Sequence, residues 1–371
     1  MSYERGKWKT WLGVVCLTLV MIGMAGCYND RDKETKKGGG DFLIGLALDS
    51  GGRNDGSFNQ LAYETVDRWK KEGKLDYRIS DPAKDSDFSA NMRRLMQGNP
   101  KFIIGMGSQL EESLRGSARE RPDIRFMLVD SDMDQNPPPN VAACFFKDHE
   151  GAFLAGIVAG LATDANKVSF IGGIRSAVIS RFEVGFKAGV RAASQIRGIP
   201  IGVQVVYANS FNDESQGYSL ARMLFAQGND VIYHAAAKVS KGICRAAKEA
   251  GGKHWVIGTD KDQLKEAPDH ILGSVLKRTD AVMEDMVNKV RNNDVSSFGK
   301  VSYYGVGMAI DFKGDYASKL GAGKAKKLDL ILEVARKYVQ GVPDTPEKER
   351  TWSVPTDFME AAQKIWGPSG R

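Results

Sequence analysis

The sequence predicts an α/β protein of two doubly wound lobes, each a largely parallel sheet covered by helices on both faces. Three observations carry that prediction. From Phe42 onward, short apolar and β-rich runs alternate with amphipathic stretches, the signature of parallel strands joined by crossover helices. The chain has 371 residues, enough for two separate cores. Polar and glycine-rich tripeptides gather where strand candidates end: Asp49-Ser50-Gly51-Gly52, Gly107-Ser108, Asp130-Ser131 and Gly258-Thr259-Asp260. In open α/β sheets, ligands bind beyond those carboxyl ends.

Strands are expected at Phe42–Leu48, Phe102–Met106, Arg125–Val129, Val168–Ile171, Val203–Tyr207, Val231–His234, Trp255–Gly258 and Ile271–Leu276. Each is apolar, rich in β-branched or aromatic residues, and bounded by turn residues. Helices fall between them, at Phe58–Lys71, Phe88–Gln97, Leu110–Arg119, Glu150–Thr163, Ile179–Ser194, Ser215–Ala226, Lys241–Ala250 and Ala281–Asn292. The chain is expected to change lobe near Lys147, after Pro137-Pro138-Pro139 and the apolar run Val141–Phe146. The expected lobes are residues 41–146 with 274–300, and 147–273 with 301–371.

Before the body comes an export signal, residues 1–26. Arg5, Lys7 and Lys9 precede an apolar run that ends Met24-Ala25-Gly26-Cys27, with the basic, apolar and small-residue zones in the order of a cleavable leader. The run from Trp11 to Gly26 is short for a membrane-spanning helix, which needs about 20 residues. Ala25-Gly26-Cys27 resembles a bacterial lipobox, with Met24 where Leu is usual. That resemblance implies that Cys27 is lipidated and holds the protein in a membrane outside the cytoplasm. Residues 27–40, rich in Lys, Asp and Gly, read as a flexible tether.

Composition narrows the function classes. At 42% hydrophobic and 26% charged residues, the chain is globular. The net charge of +6 falls to about +4 without the leader, whose three basic residues face Glu4. No basic block or aromatic-basic stripe speaks for nucleic acid. Cys144 and Cys244 are isolated in apolar or helical stretches and read as buried thiols rather than a disulfide framework. The four His residues form no HExxH pattern, and no GxSxG, P-loop or zinc spacing occurs. Neither an enzyme nor a metal or cofactor site is therefore expected. Asp130-Ser131-Asp132-Met133-Asp134 begins like a calcium loop, but Gln135 and Val141 stand where Gly and Glu are needed.

Candidate ligand contacts lie in the strand-end loops. Asn54 and Asp55 suit hydrogen bonding to a polar ligand, and equally suit a turn, with Ser57 as the helix cap. Phe58 and Phe211 occupy corresponding loops of the two halves, where aromatic faces can stack on a planar ring. Asp260 can accept from a vicinal diol, and Lys277 can donate to the same hydroxyls. Asp130 is a strand-end acceptor suited to the edge of a base. Surface charge on loops is the plainer reading of Asp260 and Lys277.

Taken in order, these segments resemble the basic membrane lipoprotein family, whose best-understood members are purine nucleoside receptors. The likeness begins at Leu48–Gly52 and Asn54–Gln60. It continues through Phe153–Gly156, Gly172-Gly173, Gly185–Gly189, Ser210–Asp213, Ile257–Gln263 and Ser274–Lys277, covering roughly residues 42–310. The resemblance implies a type I periplasmic-binding-protein fold, with two lobes joined by crossover strands and closing like a hinge. It implies that Phe58 and Phe211 sandwich a purine, Asp130 reads its edge and Asp260 with Lys277 holds the ribose. Asn54 and Asp55 then match the loop closing over the ligand, and Asp49, at the end of the first strand, is a further ligand-binding candidate. The implied partners are a purine nucleoside, an ABC permease of the inner membrane and a lipid anchor; a monomer is the default for a receptor that must open and close, and no nucleic-acid partner is expected. Thr259, where Val is more familiar, and the basic stretch Lys313–Lys327 depart from the family pattern. A flat ligand such as riboflavin, or a sensing or host-contact role, stays open at this point.

Overall fold

A computed structural model of the chain describes residues 42–82 and 85–367. The leader, the tether and Cys27 lie outside the described residues.

The first lobe opens with β1 (Leu43–Ala47), α1 (Phe58–Lys71), β2 (Asp76–Ser80), α2 (Phe88–Met96), β3 (Phe102–Met106), α3 (Glu111–Glu120), β4 (Arg125–Val129) and β5 (Val141–Phe146). The second holds α4 (Asp148–Ala162), β6 (Lys167–Gly172), α5 (Ala177–Arg197), β7 (Gly202–Tyr207), α6 (Glu214–Ala226) and β8 (Val231–Ala235). It continues with α7 (Val239–Ala250), β9 (Trp255–Asp260) and β10 (Ile271–Lys277). The chain returns to the first lobe for α8 (Thr279–Arg291) and β11 (Lys300–Tyr304). It then recrosses for β12 (Ile310–Gly314), α9 (Ala317–Leu320), α10 (Ala322–Ala335), α11 (Pro346–Thr351) and α12 (Thr356–Trp366).

Each lobe is built on a six-stranded sheet, ordered β11-β5-β4-β3-β1-β2 in the first and β12-β10-β9-β8-β6-β7 in the second. All pairs are parallel except β10 with β12. Both orders reverse direction once, between β1 and β3 and between β6 and β8, which opens a crevice at the carboxyl end of each sheet.

The strands are buried on both faces, so their side chains divide by alternation. Ile103, Phe126 and Leu128 pack with α2 and α3, whereas Phe102, Ile104 and Met127 pack with α1 and α8. In the second lobe Ile232 and Val256 face α6 and α7, and Phe170 and Tyr233 face α4 and α5. Helix α4 is buried along its whole length. It meets α5 at glycines: a Cβ on Gly156 would fall 2.2 Å from the Phe186 carbonyl oxygen, and one on Gly189 2.1 Å from that of Phe153. The thiols of Cys144 and Cys244 are buried and free, and burial pushes both up to about 12.

The lobe boundaries differ from the sequence expectation. Strand Ile271–Lys277 lies wholly in the second sheet, between β9 and β12, and the chain changes lobe after it rather than at Ser274. Lys300–Tyr304 pairs with β5 in the first sheet, so the return crossing follows Tyr304 rather than preceding Val301.

Candidate functional site

Both crevices open into one cavity between the lobes, the kind of interdomain cleft in which small-molecule sites are found. Asp49 after β1 and Gly107–Gln109 after β3 supply the first lobe's reversal point; Ile174 and Ser176 after β6 and Ala235–Ala237 after β8 supply the second's. Of the candidates read from sequence, Asp49, Asp55, Phe58, Asp130, Phe211, Asp260 and Lys277 line this cavity. Asn54 does not. It is exposed, and its carbonyl oxygen accepts from Lys241 Nζ of the second lobe at 3.1 Å.

The loop before α1 is held by Asp55, not by Ser57. The Asp55 carboxylate accepts the amides of Ser57, Asn59 and Gln60 at 2.8, 2.9 and 2.9 Å. A charged acceptor suits the positive end of a helix better than a hydroxyl. Ser57 is thereby free to cross the cleft, where its hydroxyl bonds to the Asp260 carboxylate and lies 3.3 Å from the Thr259 carbonyl oxygen. Gln263 Nε2 donates to the Gly56 carbonyl at 3.1 Å, and the Asn212 amide donates to that of Ser50. The lobes are therefore bonded to each other along one rim of the cavity.

Asp130, just after β4, and Asp260, the last residue of β9, both have positive φ, 67° and 70°, a conformation that Asp tolerates better than most residues. Lys277 ends β10 and is buried, with Nζ 2.5 Å from Asp130 Oδ2 and 3.0 Å from Asp148 Oδ1. Burial alone would lower its pKa, but Asp130, Asp148 and Asp260 together hold it above the usual lysine value. The same ammonium lies 5.2 Å from the centre of the Phe58 ring. Asp148 Oδ2 in turn accepts from Arg181 at 3.3 Å. Lys277 is thus a hub joining the first lobe, the hinge and the second lobe, a wider role than the hydroxyl donor expected from sequence.

Two carboxyls are poised near neutrality. Burial pushes Asp49 up to about 7, against hydrogen bonds from Asn59 and Gly51 that favour its charge. Burial also raises Asp260 to about 7, with Asp130 and Asp148 adding to the rise and Lys277 and Ser57 opposing it. Asn59 escaped the sequence reading. Its Nδ2 donates to Asp49 at 2.6 Å and to Asp55 at 3.2 Å, which fixes the amide and leaves Oδ1 as a buried acceptor without a partner. Asp130 Oδ1 is likewise buried and unpartnered. Phe182, Ser176 and Ala235–Ala237 were missed too, though the rule that ligands bind at strand ends points to the loops after β6 and β8.

Residues 44–310 match the family model described as Bmp, ABC transporter substrate-binding protein PnrA-like. The chain belongs to this Bmp family. As a Bmp protein it is a solute-binding component of an ABC transporter rather than an enzyme, and works outside the cytoplasm with a small-molecule ligand and a permease. It is similar to the CD4+ T-cell-stimulating antigen of Listeria innocua, 31% identical over 91% of this chain and 97% of that one. It is also similar to the ABC transporter nucleoside-binding protein BmpA of Lactococcus lactis, 32% identical over 87% of this chain and 97% of the other. A crystal structure of an ABC transporter solute-binding protein from Aeropyrum pernix K1 superposes with a TM-score of 0.73 at 21% identity, covering 87% of this chain and 99% of that one. The fold of this Bmp protein is the type I periplasmic-binding-protein fold. Among the described residues, no helix is long and apolar enough to cross a membrane.

Proposed function

We propose that the protein captures a purine nucleoside in the interlobe cavity for delivery to an ABC permease, held outside the cytoplasm by lipid on Cys27. The observation that carries this reading is the convergence of Phe58 and Phe211, from different lobes, with Asp49, Asp130 and Asp260 on one cavity. Aromatic walls favour a flat ring without selecting among rings, while buried acceptors select a ligand with N–H and O–H donors. Asn59 Oδ1 and Asp130 Oδ1 suit the donors of a base edge, and Asp260 suits a vicinal diol. The relative from Lactococcus lactis bears the name nucleoside-binding protein, which supports the same assignment.

Thermal unfolding of the protein, first denatured and refolded to strip captured ligand, tests the reading. Adenosine, guanosine or inosine should raise the apparent stability, by about 2.7 kcal/mol at a hundredfold excess over Kd, and sugars should not. A shift with riboflavin alone would replace the ligand. In the same assay Asp260→Ala should weaken nucleosides about ten- to a hundredfold, the scale of a lost charged hydrogen bond, and leave free bases almost unaffected. Equal losses for both would remove Asp260 from the ribose.

A further inference from the structure

The second-lobe wall of the cavity rests on a residue without a side chain. Gly173 follows β6; its amide donates to the Ala235 carbonyl at 2.9 Å and its carbonyl accepts from Asn209 at 3.0 Å. A Cβ built on Gly173 would lie 2.2 Å from Phe211 Cε1 and 2.4 Å from Cδ1. The Phe211 ring therefore lies directly against the Gly173 backbone. Ordinary carbon contacts begin near 3.5 Å, so a methyl group there requires the ring edge to retreat by ~1.3 Å. The backbone cannot absorb that easily. Gly173 is pinned on both sides, and the Phe211 carbonyl accepts from the Lys238 amide at 3.0 Å. The ring is the part that yields, and the open space beside it is the cavity that it lines.

The other aromatic residue from a strand-end loop on this cavity, Phe58, has little freedom to compensate. Phe58 begins α1, whose N-terminus is fixed by three amide bonds to Asp55. The loop before it is tied to the second lobe by Ser57–Asp260 and by Gln263–Gly56. Packed interiors transmit such displacements rather than absorbing them.

We infer that Gly173 is a specificity-determining position: by letting Phe211 lie against the end of β6, it sets how far the two aromatic walls stand apart and so admits a planar ring between them. Any side chain at 173 narrows the slot from behind. Gly173 touches no ligand in this account; it acts through the position of Phe211. The inference rests on the proposal that a flat ligand stacks in this cavity, and deepens it by naming what gauges the ligand's thickness.

The test is a double-mutant cycle on the refolded full chain, with inosine, guanosine and riboflavin as probes in titration calorimetry. Gly173→Ala should weaken the bound probe about tenfold or more, the scale for one added methylene in a packed pocket. In a Phe211→Ala background, the same glycine substitution should cost almost nothing, because the ring that it displaces is gone. Equal losses in both backgrounds would show that Gly173 supports the fold and not the wall, and would overturn the inference. So would unchanged affinity in the single variant. If the wild-type protein binds none of the probes, the nucleoside reading fails on its own. The crystal structure of Gly173→Ala then decides the point: a Phe211 ring displaced towards Phe58 upholds the inference, and an unmoved ring overturns it.

Discussion

Asp49 has a hydrogen-bond shell that favours its charge and surroundings that oppose it, and burial wins, lifting its pKa from 3.8 to about 7. Between those values the folded protein holds a proton that the unfolded chain releases, so stability falls as pH rises through that window. Asp49→Asn removes this proton linkage while keeping an acceptor for Asn59 and Gly51. The wild type should lose stability relative to the variant from about pH 4 to pH 7, by roughly 2 kcal/mol when the full linkage is halved for water in an open cavity. Urea unfolding at several pH values in that range checks it; parallel curves for the two proteins would refute the shift. At this scale the sequence was legible where chemistry is local. Strand-end carboxylates and loop aromatics could be picked from residue type and position alone. What could not be picked were partners distant in sequence: Asp148 beside Lys277, or Ser57 turned away from its own helix to meet Asp260 across 203 positions. Asn54, also picked as a ligand contact, stands outside the cavity, and its carbonyl oxygen accepts from Lys241 of the second lobe.

Elements were legible where both faces are buried. The core strands β1, β3, β4, β6, β8, β9 and β10 stand out as apolar runs, and β7 by its β-branched residues. The strand expectation omitted β2, β11 and β12 because edge strands bury one face at most, and Asp76–Ser80 and Lys300–Tyr304 carry polar residues throughout. It also omitted β5, whose apolar run was read as the segment leading to the lobe change. The helices after Gly314 extend past the residues that resemble the family, and nothing in their pattern announced that α10 and α12 pack against α4 and α5. The pairing of α4 with α5 shows how tightly an element can depend on one atom. A Cβ on Gly189 meets the Phe153 carbonyl at 2.1 Å and Gly156 Cα at 2.9 Å, backbone that cannot rotate aside. Gly189→Ala should destabilise the protein by about 3 kcal/mol, at the upper end for overpacking. Gly116→Ala, in α3 with nothing within 4 Å of the new methyl, should instead stabilise by about 0.5–1 kcal/mol by restricting the unfolded chain. Denaturant midpoints measure both, and a tolerated Gly189→Ala would mean that the helices can separate.

At the scale of the molecule, two lobes joined by three crossings enclose a cavity, and closure is a property of neither lobe alone. The crossings follow β5, β10 and β11, and Lys277 sits at the second of them, ion-paired with Asp130 just after β4 and with Asp148 at the start of α4. The rim contacts are as informative as the cavity. Gln263 is almost fully buried and does not line the cavity. Its Oε1 accepts the Thr259 amide at 3.1 Å, its own amide proton goes to Ser274 Oγ at 3.2 Å, and its Nε2 reaches Gly56 in the other lobe at 3.1 Å. It therefore belongs to the closed arrangement without touching a ligand. A ligand enters an open cleft and is retained by a closed one, so a contact that ties the two lobes together bears on escape more than on entry. Gln263→Ala should raise koff about five- to tenfold, the worth of one buried hydrogen bond, while kon stays within twofold of about its original value. Stopped-flow measurement with a nucleoside that shifts the unfolding temperature separates the two rates. A slower kon with koff unchanged would place Gln263 in the construction of the site, and closure would have to be credited to Ser57 and Lys277 instead.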